Sequence, residues 1–404
     1  MPLPLQIVIV GGGAAGFFAA ITAAEADLHH RILLLEKSKH LLAKVRISGG
    51  GRCNVTHACF DPVALIQNYP RGGAALRGPL TRFQPQDTID WFAARGARLK
   101  TEADGRIFPV SDKSQTIIDC LMNSAAKARV EIQTEVSIET ITHSNAGFLL
   151  RLKNGESLRA DRLLLATGNN RHGQAWAASL GHTLAPLVPS LFTFNIEDVR
   201  LAGLAGVAVA QAQLTLGPLT QTGPTLITHW GLSGPAVLKL SAWGARLLHD
   251  CGYNAELKIN WLPDFDESEL LEKLTATRAE HPKRLVVNHS PFPLPARLWE
   301  RLAAAAGVAA NLRWAGLSKQ ATGALIDQLR RGSYQITGKS TFKEEFVTCG
   351  GVNLGEVNFK TMESRLCPGL YFAGEVLDID GVTGGFNFQS AWTTAWLAGK
   401  AMAL

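Results

Sequence analysis

The chain has 404 residues, of which 46% are hydrophobic and 18% charged, a composition typical of an ordered globular protein with about two or three domains. Its formal net charge of +6 favours anionic partners, a class that includes dinucleotides and RNA. Six dispersed cysteines exclude a secreted disulfide framework; with no signal-peptide pattern and no apolar run of roughly 18–20 residues, we expect a cytoplasmic protein without a membrane partner.

An apolar segment followed by a glycine-rich turn opens the chain. Residues 7–10 predict a buried parallel strand, because such strands are apolar on both faces, and the alanine-rich residues 14–26 predict a helix. Between them, Gly11 permits a tight turn, Gly13 lets the backbone approach a pyrophosphate, and Gly16 allows the helix to pack closely on the strand. The helix start offers N–H groups and a partial positive charge to phosphates, so this segment predicts dinucleotide binding.

A second apolar strand ends in an acidic residue. Residues 32–35 predict the strand, and Glu36 follows 20 positions after Gly16, the spacing expected for a carboxylate that binds ribose hydroxyls. An acid at this position disfavours a 2′-phosphate, which fits the adenosine of FAD or NAD. The expected cofactor-binding residues of this half are Gly11, Gly13, Ala14, Ala15, Gly16, Glu36 and Lys37.

Three consecutive glycines lie within residues 44–56. They provide backbone conformations that are closed to other residues, and they leave N–H groups to meet a flavin or a phosphate. The expected cofactor contacts of this segment are Lys44, Ser48, Gly49, Gly50, Gly51, Arg52, Cys53 and Asn54.

A third apolar strand, at residues 162–165, ends in Ala166, Thr167 and Gly168. In flavoproteins of the two-dinucleotide-binding type such a segment returns the chain to the cofactor domain, so these three residues are further cofactor-binding candidates. Because the chain carries only one full glycine fingerprint, we expect no separate nicotinamide domain. NAD(P)H would then reach the flavin transiently from solvent.

The middle of the chain changes pattern twice. From residue 193, short alternating segments separated by Gly-Pro turns predict an antiparallel β-domain, and from residue 264 apolar spacing after an acidic start predicts helices. The helical part suits a lid, an RNA-docking face or a dimer contact. We therefore expect an α/β fold: a Rossmann-like FAD-binding domain of the two-dinucleotide-binding type, with an inserted antiparallel β-domain and a small helical domain. The expected boundaries are 1–192 and 346–404 for the FAD-binding domain, 193–262 and 333–345 for the β-rich domain, and 263–332 for the helical domain.

The C-terminal residues carry a second half of the expected flavin site. An acid after the last strand, Glu375 or Asp380, suits the ribityl hydroxyls. Glycines then precede a helix expected through residues 391–398, whose N–H groups and dipole would stabilise negative charge on a flavin ring. The candidates are Gly374, Glu375, Asp380, Gly384, Gly385, Phe386 and Asn387. A nicotinamide dehydrogenase needs only the first half, whereas FAD extended across a sheet needs both.

Several of these segments together resemble the BaiN/RdsA-like family of FAD-dependent oxidoreductases. The resemblance is carried by residues 44–56, 374–381 and 383–389, with further matches at 105–109, 228–235 and 361–364. It implies FAD as cofactor, NAD(P)H as transient electron donor, and reduction of a conjugated C=C bond. The leading substrate is a uridine of 23S ribosomal RNA, which would become dihydrouridine. The alternatives are a small-molecule enone reductase and a non-catalytic FAD-containing protein that binds RNA; the oligomeric state stays open.

Three side chains are candidates for the chemistry. Cys53 is a candidate proton donor or flavin-facing thiol. The alternatives are that it is a buried packing residue or forms a redox pair with Cys59. His229, in a turn of the β-rich part, suits substrate binding or a hydrogen bond within its turn. Arg106 suits a clamp on an anionic substrate or a surface salt bridge. The cysteines and histidines show no metal-ligand spacing, so we expect no metal site.

Overall fold

The structure is a computed structural model that describes residues 4–339 and 347–404. The chain forms two compact units, Met1–Leu187 with Thr348–Leu404, and Val188–Val347. The expected β-rich and helical domains therefore lie in one unit rather than two. Of the expected segments, residues 340–345 of the β-rich domain and residue 346 of the FAD-binding domain lie outside the described residues.

A mainly parallel sheet forms the centre of the first unit. Strand Gln6–Val10 pairs in parallel with Arg31–Leu35 on one side and Arg162–Leu165 on the other. Because both faces of these strands are covered, they are apolar without alternation. In the described part of the chain the sheet has seven strands, in the order Val357–Asn358, Glu363–Ser364, Leu370–Phe372, Arg162–Leu165, Gln6–Val10, Arg31–Leu35 and Glu131–Gln133. The predicted Rossmann-like arrangement is confirmed.

The helices Ala14–Ala26 and Phe386–Met402 pack against each other in this unit. Both are largely buried and rich in small residues. A Cβ at Gly399 would lie 2.6 Å from the carbonyl oxygen of Ala19, so only glycine permits this approach. The contact brings the start of the chain beside its end.

Helices and two small antiparallel sheets complete the first unit. The helices are Ala43–Gly51, Pro62–Ile66, Gly73–Leu80, Pro85–Ala93, Ser114–Lys127 and Arg171–Ser179, with 3₁₀ turns at Leu354–Glu356 and Gly374–Val376. One small sheet contains Thr56–His57, Leu99–Thr101 and Arg106–Pro109, and the other contains Ile138–Ser144, Gly147–Leu152 and Ser157–Ala160. Strands Leu184–Ser190 and Val347–Val352 contain the boundaries between the units.

The second unit combines an antiparallel sheet with helices around one core. Its seven described strands lie in the order Gly332–Ile336, Ala255–Asn260, Ala208–Leu216, Leu219–Ile227, Gly231–Ser233, Phe194–Asn195 and Gly338–Lys339. The helices are Pro235–Trp243, Ala245–Asp250, Glu267–Glu280, Ala296–Ala305 and Lys319–Arg330, with 3₁₀ turns at Val286–Asn288 and Trp314–Gly316. The core joins sheet residues such as Leu257 and Tyr334 with helix residues such as Leu270, Trp299 and Leu325. This shared core is the reason why the β-rich and helical parts form a single unit.

Candidate cofactor and substrate site

The glycine turn after the first strand has three crowded positions, Gly11, Gly12 and Gly16, and one open position, Gly13. A side chain at Gly11, whose φ is +119°, or at Gly16 would collide with backbone carbonyl groups. In contrast, no heavy atom lies within 4 Å of the place that a Cβ at Gly13 would take. Gly13 is also the N-cap of the first helix and supplies no side-chain cap, so the N–H groups of Ala14 and Ala15 lie at an open helix start. Such a start accepts a phosphate group.

Glu36 holds the glycine turn through its carboxylate. Its Oε2 accepts a hydrogen bond from the N–H of Gly12 at 2.7 Å, and its Oε1 accepts one from the N–H of Ser38 at 2.9 Å. A pocket of about 120 Å³ adjoins the carboxylate at the ends of the first two strands. Its lining includes Glu36, Lys37, Val136, Ile138, Thr167 and Trp176. This mixture of apolar, aromatic and polar groups suits an adenosine.

Thr167 contributes a buried hydroxyl to this pocket. Its Oγ1 has no hydrogen-bond partner within residues 4–339 and 347–404. Ala166 precedes it at the end of the third strand, and Gly168 follows with φ +61°. A buried hydroxyl without a partner costs about 1–3 kcal/mol, and this one lies against the helix backbone, since a Cβ at Gly173 would come within 1.8 Å of it.

The three-glycine segment begins as a helix and then changes to left-handed backbone. Helix Ala43–Gly51 is interrupted at Ser48, and Gly49, Gly50 and Gly51 have φ values of +57°, +69° and +83°. These values favour glycine. No heavy atom lies within 4 Å of the Cβ positions at the second and third glycines. The turn therefore offers an open backbone surface to a phosphate or to the edge of a ring.

Cys53 lies inside the protein and not on an open surface. It is fully buried, its φ is +64°, and burial raises the pKa of its thiol to about 12 despite a hydrogen bond with Ser48. A thiol with such a pKa is a weak acid at neutral pH. Neither Cys53 nor Cys59 forms a disulfide. Of the alternatives that the sequence leaves open, the buried packing residue agrees best with this geometry.

Arg52 and Arg106 share one carboxylate beside one aromatic ring. Arg52 Nη1 lies 2.6 Å from Oε1 of Glu102, and Arg106 Nη2 lies 3.1 Å from Oε2 of the same residue. Arg106 also pairs with Asp104 at 2.7 Å. The two guanidinium carbons lie 3.9 and 5.4 Å from the ring centroid of Phe108. The salt bridge expected as the alternative for Arg106 is therefore present, and an anionic substrate would have to share this arginine with its acids.

Lys44 and Glu375 join the two ends of the chain by an ion pair. Lys44 Nζ lies 2.5 Å from Oε2 of Glu375, whose Oε1 accepts a hydrogen bond from the N–H of Thr348 at 3.3 Å. A Cβ at Gly374, which has φ +74°, would lie 2.9 Å from Cβ of Ala15. The C-terminal segment thus passes directly over the start of the first helix, as a site shared by both ends requires.

Asp380 is buried and paired, unlike an acid open to a ribityl chain. Both of its carboxylate oxygens accept hydrogen bonds from the guanidinium group of Arg71, and its side chain is fully buried. A buried carboxylate needs such a partner, because its desolvation is otherwise costly. The pair fixes the turn before the last helix, which leaves Glu375 as the better placed of the two predicted acids.

The last helix begins at a glycine turn that two asparagines close. Gly385, with φ +96°, is the N-cap of Phe386–Met402. With its amide oxygen oriented towards this turn, Asn54 accepts a hydrogen bond from the N–H of Gly385 at 3.0 Å. Asn387 forms two hydrogen bonds of 2.8 Å with the backbone of Gly381. Asn387 therefore shapes the turn, and the helix start supplies the N–H groups.

His57 lies beside this turn and is a candidate that the motifs alone did not identify. Its ring stacks on Phe386 with a centroid distance of 4.7 Å, and its Nε2 lies 3.2 Å from the carbonyl oxygen of Asp104. Its Cδ2 lies 3.5 Å from the Cβ position of Gly384, where φ is +133°. Strand pairing places it opposite Arg106. The sequence feature that could have identified His57 is its position directly after the glycine-rich motif of residues 44–56.

His229 belongs to the second unit. It is exposed in the turn between strands Leu219–Ile227 and Gly231–Ser233. The neighbouring Trp230 is 61% exposed, and its N–H donates a hydrogen bond to Thr228 Oγ1 at 3.3 Å. This turn presents an imidazole and an indole at the surface of its unit.

The described ranges contain neither a cluster of metal-ligating side chains nor a helix able to span a membrane. Across residues 4–339 and 347–404, no group of three or more histidine, cysteine, aspartate or glutamate side chains is placed to hold a metal ion. None of the helices assigned there is long and apolar enough to cross a membrane.

Comparison with known proteins gives relatives along nearly the whole chain. The chain is 32% identical over 410 residues to the 3-dehydro-bile acid delta(4,6)-reductase of Clostridium scindens, which covers 98% of this chain and 99% of the relative. It is 33% identical over 400 residues to the ribosomal RNA dihydrouridine synthase of Escherichia coli, with 96% of each chain covered.

A solved structure shows the same fold. The 3-ketosteroid-delta4-(5alpha)-dehydrogenase from Rhodococcus jostii RHA1 matches with a TM-score of 0.53 and 17% identity, over 100% of this chain and 98% of that one. At the level of sequence, residues 5–401 match the family described as HI0933-like protein Rossmann domain. The resemblance seen in the motifs is therefore confirmed, and the chain is a member of the HI0933-like Rossmann family.

Proposed function

We propose that the protein is an FAD-dependent oxidoreductase that passes hydride from NAD(P)H to a conjugated C=C bond. The proposal is carried by one observation: the open start of the first helix, the three-glycine turn and the start of the last helix, drawn from opposite ends of the chain, lie in one compact unit. The names of both relatives, a delta(4,6)-reductase and a dihydrouridine synthase, denote reduction of a C=C bond and support the reaction class.

The residues of the first unit fit FAD. Gly13 leaves the first helix start open to a pyrophosphate, and Glu36 lies beside a pocket that suits an adenosine. The hydroxyl of Thr167 lacks a partner in the described chain, and Gly50 and Gly51 leave their backbone open. When bound, FAD would supply the two-electron carrier between reduced nicotinamide and the alkene.

The chain's own charges would favour the reduced, anionic state of the site. The N–H groups and dipole at the start of Phe386–Met402 stabilise negative charge. Lys44 lies in the same unit, where its charge is balanced by Glu375 at 2.5 Å. Both groups belong to segments that the sequence predicts as cofactor-binding.

Alkene reduction also needs a proton donor, because hydride is added to one carbon and a proton to the other. We assign this role to His57, which is partly exposed and whose ring stacks on Phe386 at the start of the last helix. Burial makes Cys53 a poor donor. Arg106, opposite His57 in the small sheet, would bind an anionic group of the substrate or a developing enolate oxygen. His229 stays a candidate for substrate binding from the second unit.

A uridine of 23S ribosomal RNA is the leading substrate. The net charge of +6 and the 33% identity to a ribosomal RNA dihydrouridine synthase favour it, and an RNA substrate would place the protein in the cytoplasm. A small-molecule enone is the second candidate, because the bile acid reductase is similar over an equally long part of the chain.

The test offers both substrates to the same enzyme. Purified protein and NADPH or NADH are incubated anaerobically either with 23S ribosomal RNA transcribed without modifications or with a steroidal enone. We expect dihydrouridine in the digested RNA, detected by mass spectrometry. Product from the enone alone would favour the second candidate. If neither substrate is reduced although NADPH or NADH reduces the flavin, the result would contradict the proposal that a C=C bond accepts the electrons.

A further inference from the structure

A cluster of basic side chains lies on the helical part of the second unit. It consists of Arg278, His281, Lys283, Arg284, His289 and Arg313, which we call the basic ribbon. The arginines and the lysine are exposed, and the two histidines are partly exposed. The ribbon belongs to neither the glycine turns nor the substrate candidates described above.

Two paired chain segments hold the ribbon in place. Leu285 and Arg313 form an antiparallel bridge, and the N–H of Trp314 donates a hydrogen bond to the carbonyl oxygen of Arg284 at 3.0 Å. Trp314 is fully buried and stacks on Trp299 with a centroid distance of 6.4 Å. The backbone beneath the cations is therefore anchored in the core of the unit.

The positive charge of the ribbon is not neutralised by the described residues. Elsewhere in this unit, Arg200, Arg330 and Arg331 each have a carboxylate within 4.0 Å. In the described ranges, no such ion pair involves the four exposed cations of the ribbon. A cluster of exposed cations without ion-pair partners gains most from an anionic partner that brings several charges at once.

Within the ribbon, two histidine rings and an arginine are in contact. The rings of His281 and His289 meet at right angles with centroids 4.6 Å apart, and Arg284 Nη1 lies 3.2 Å from His289 Nδ1. Burial, together with Arg284 and His281, lowers the pKa of His289.

We propose that the basic ribbon binds the phosphate backbone of an RNA and so docks the substrate. The choice of RNA as the polyanion rests on the proposed function. Guanidinium groups pair with phosphates in a bidentate manner, and the histidine rings offer surfaces on which unpaired bases stack. A lipid surface fits less well, because a membrane-binding face carries exposed apolar side chains beside its cations. None of the exposed large hydrophobic side chains of the described chain lies in residues 278–289 or 311–315.

The experiment compares two variants with equal charge loss. The ribbon variant carries Lys283→Gln, Arg284→Gln and Arg313→Gln. The control carries Lys127→Gln, Arg151→Gln and Arg159→Gln, three exposed cations of the first unit. Fluorescence anisotropy measures the binding of a labelled, unmodified 23S ribosomal RNA fragment over a series of salt concentrations. Each lost phosphate contact reduces the magnitude of the slope of log K against log salt by about 0.7. We therefore expect the slope of the ribbon variant to be smaller in magnitude by about 2, while the control keeps the wild-type slope.

The same preparations separate this inference from the proposed function. We expect the wild type and both variants to reduce their flavin equally well with NAD(P)H. A ribbon variant with the wild-type salt slope, or an equal loss in the control, would overturn the inference. Binding to vesicles of equal parts phosphatidylglycerol and phosphatidylcholine, without binding to RNA, would also overturn it. A flavin that nicotinamide does not reduce, in protein that binds RNA through the ribbon, would contradict only the proposed function.

Discussion

Replacing Gly13 by alanine should weaken FAD binding while the fold remains intact. The residue has φ −92°, which any residue adopts, and the new methyl group would enter space where no protein atom lies within 4 Å. Alanine is a poorer N-cap than glycine by up to about 1 kcal/mol, and the reduced freedom of the unfolded chain returns about 0.4–1 kcal/mol. We therefore expect the free energy of unfolding of the apoprotein to change by less than about 1 kcal/mol.

The effect of this substitution on the cofactor should be much larger. The methyl group would occupy the position through which a pyrophosphate approaches the helix start. Loss of one hydrogen bond to a charged oxygen costs about 1.5–3 kcal/mol. At about 1.4 kcal/mol for each factor of ten, Kd for FAD should rise roughly 10- to 150-fold.

The assay removes the flavin, adds FAD back and follows the quenching of its fluorescence. Gly323→Ala is the matched control, because Gly323 lies in helix Lys319–Arg330 of the second unit and also has no heavy atom within 4 Å of its Cβ position. The control should keep the wild-type Kd and gain up to about 1 kcal/mol of stability. A Gly13→Ala protein with the wild-type Kd would refute the assignment of the pyrophosphate to this helix start.

Three further predictions concern a thiol and two histidines. Iodoacetamide should alkylate the exposed Cys251 of the native protein but not Cys53, whose buried thiol has a pKa raised to about 12; peptide mass spectrometry that finds native Cys53 labelled would contradict its placement. His57→Gln should slow alkene reduction by about 10²-fold or more and leave flavin reduction by NAD(P)H unchanged in single-turnover measurements, whereas an equal loss in both steps would argue against proton donation. Burial lowers the pKa of His182 below 6.5, so its neutral form stabilises the fold above this pH and the contribution is lost as the pH falls. In urea unfolding the wild type should lose more stability on acidification than His182→Gln, while His143→Gln, at an exposed position, should behave like the wild type; identical pH dependence in all three proteins would contradict the argument.

The elements that the sequence predicts well are those with local causes. Helix Ala14–Ala26 has the bounds expected from its pattern, because a glycine turn and apolar spacing act over a few residues. The acid at Glu36 likewise follows directly from its distance to the glycine turn. These features were enough to predict the cofactor half of the site.

The remaining features depend on contacts between distant residues. Asp380 is paired with Arg71, 309 positions away. A local motif therefore cannot reveal that this carboxylate is occupied and does not bind the ribityl hydroxyls. The burial of Cys53 depends on the packing around its loop. The union of the β-rich and helical parts depends on a core whose members are spread from residue 194 to residue 336. Periodicity predicts which face of an element is apolar but not which element covers it.

The proposal that the protein is a nicotinamide-driven flavoenzyme is tested most directly by an anaerobic titration. The purified protein, with its flavin extracted and identified in a parallel sample, is titrated with NADPH and with NADH while its visible flavin absorbance is followed. We predict FAD in the extract and bleaching by one equivalent of the preferred nicotinamide. A protein that holds no FAD after reconstitution, or whose FAD stays oxidised with both donors, would contradict the central claim.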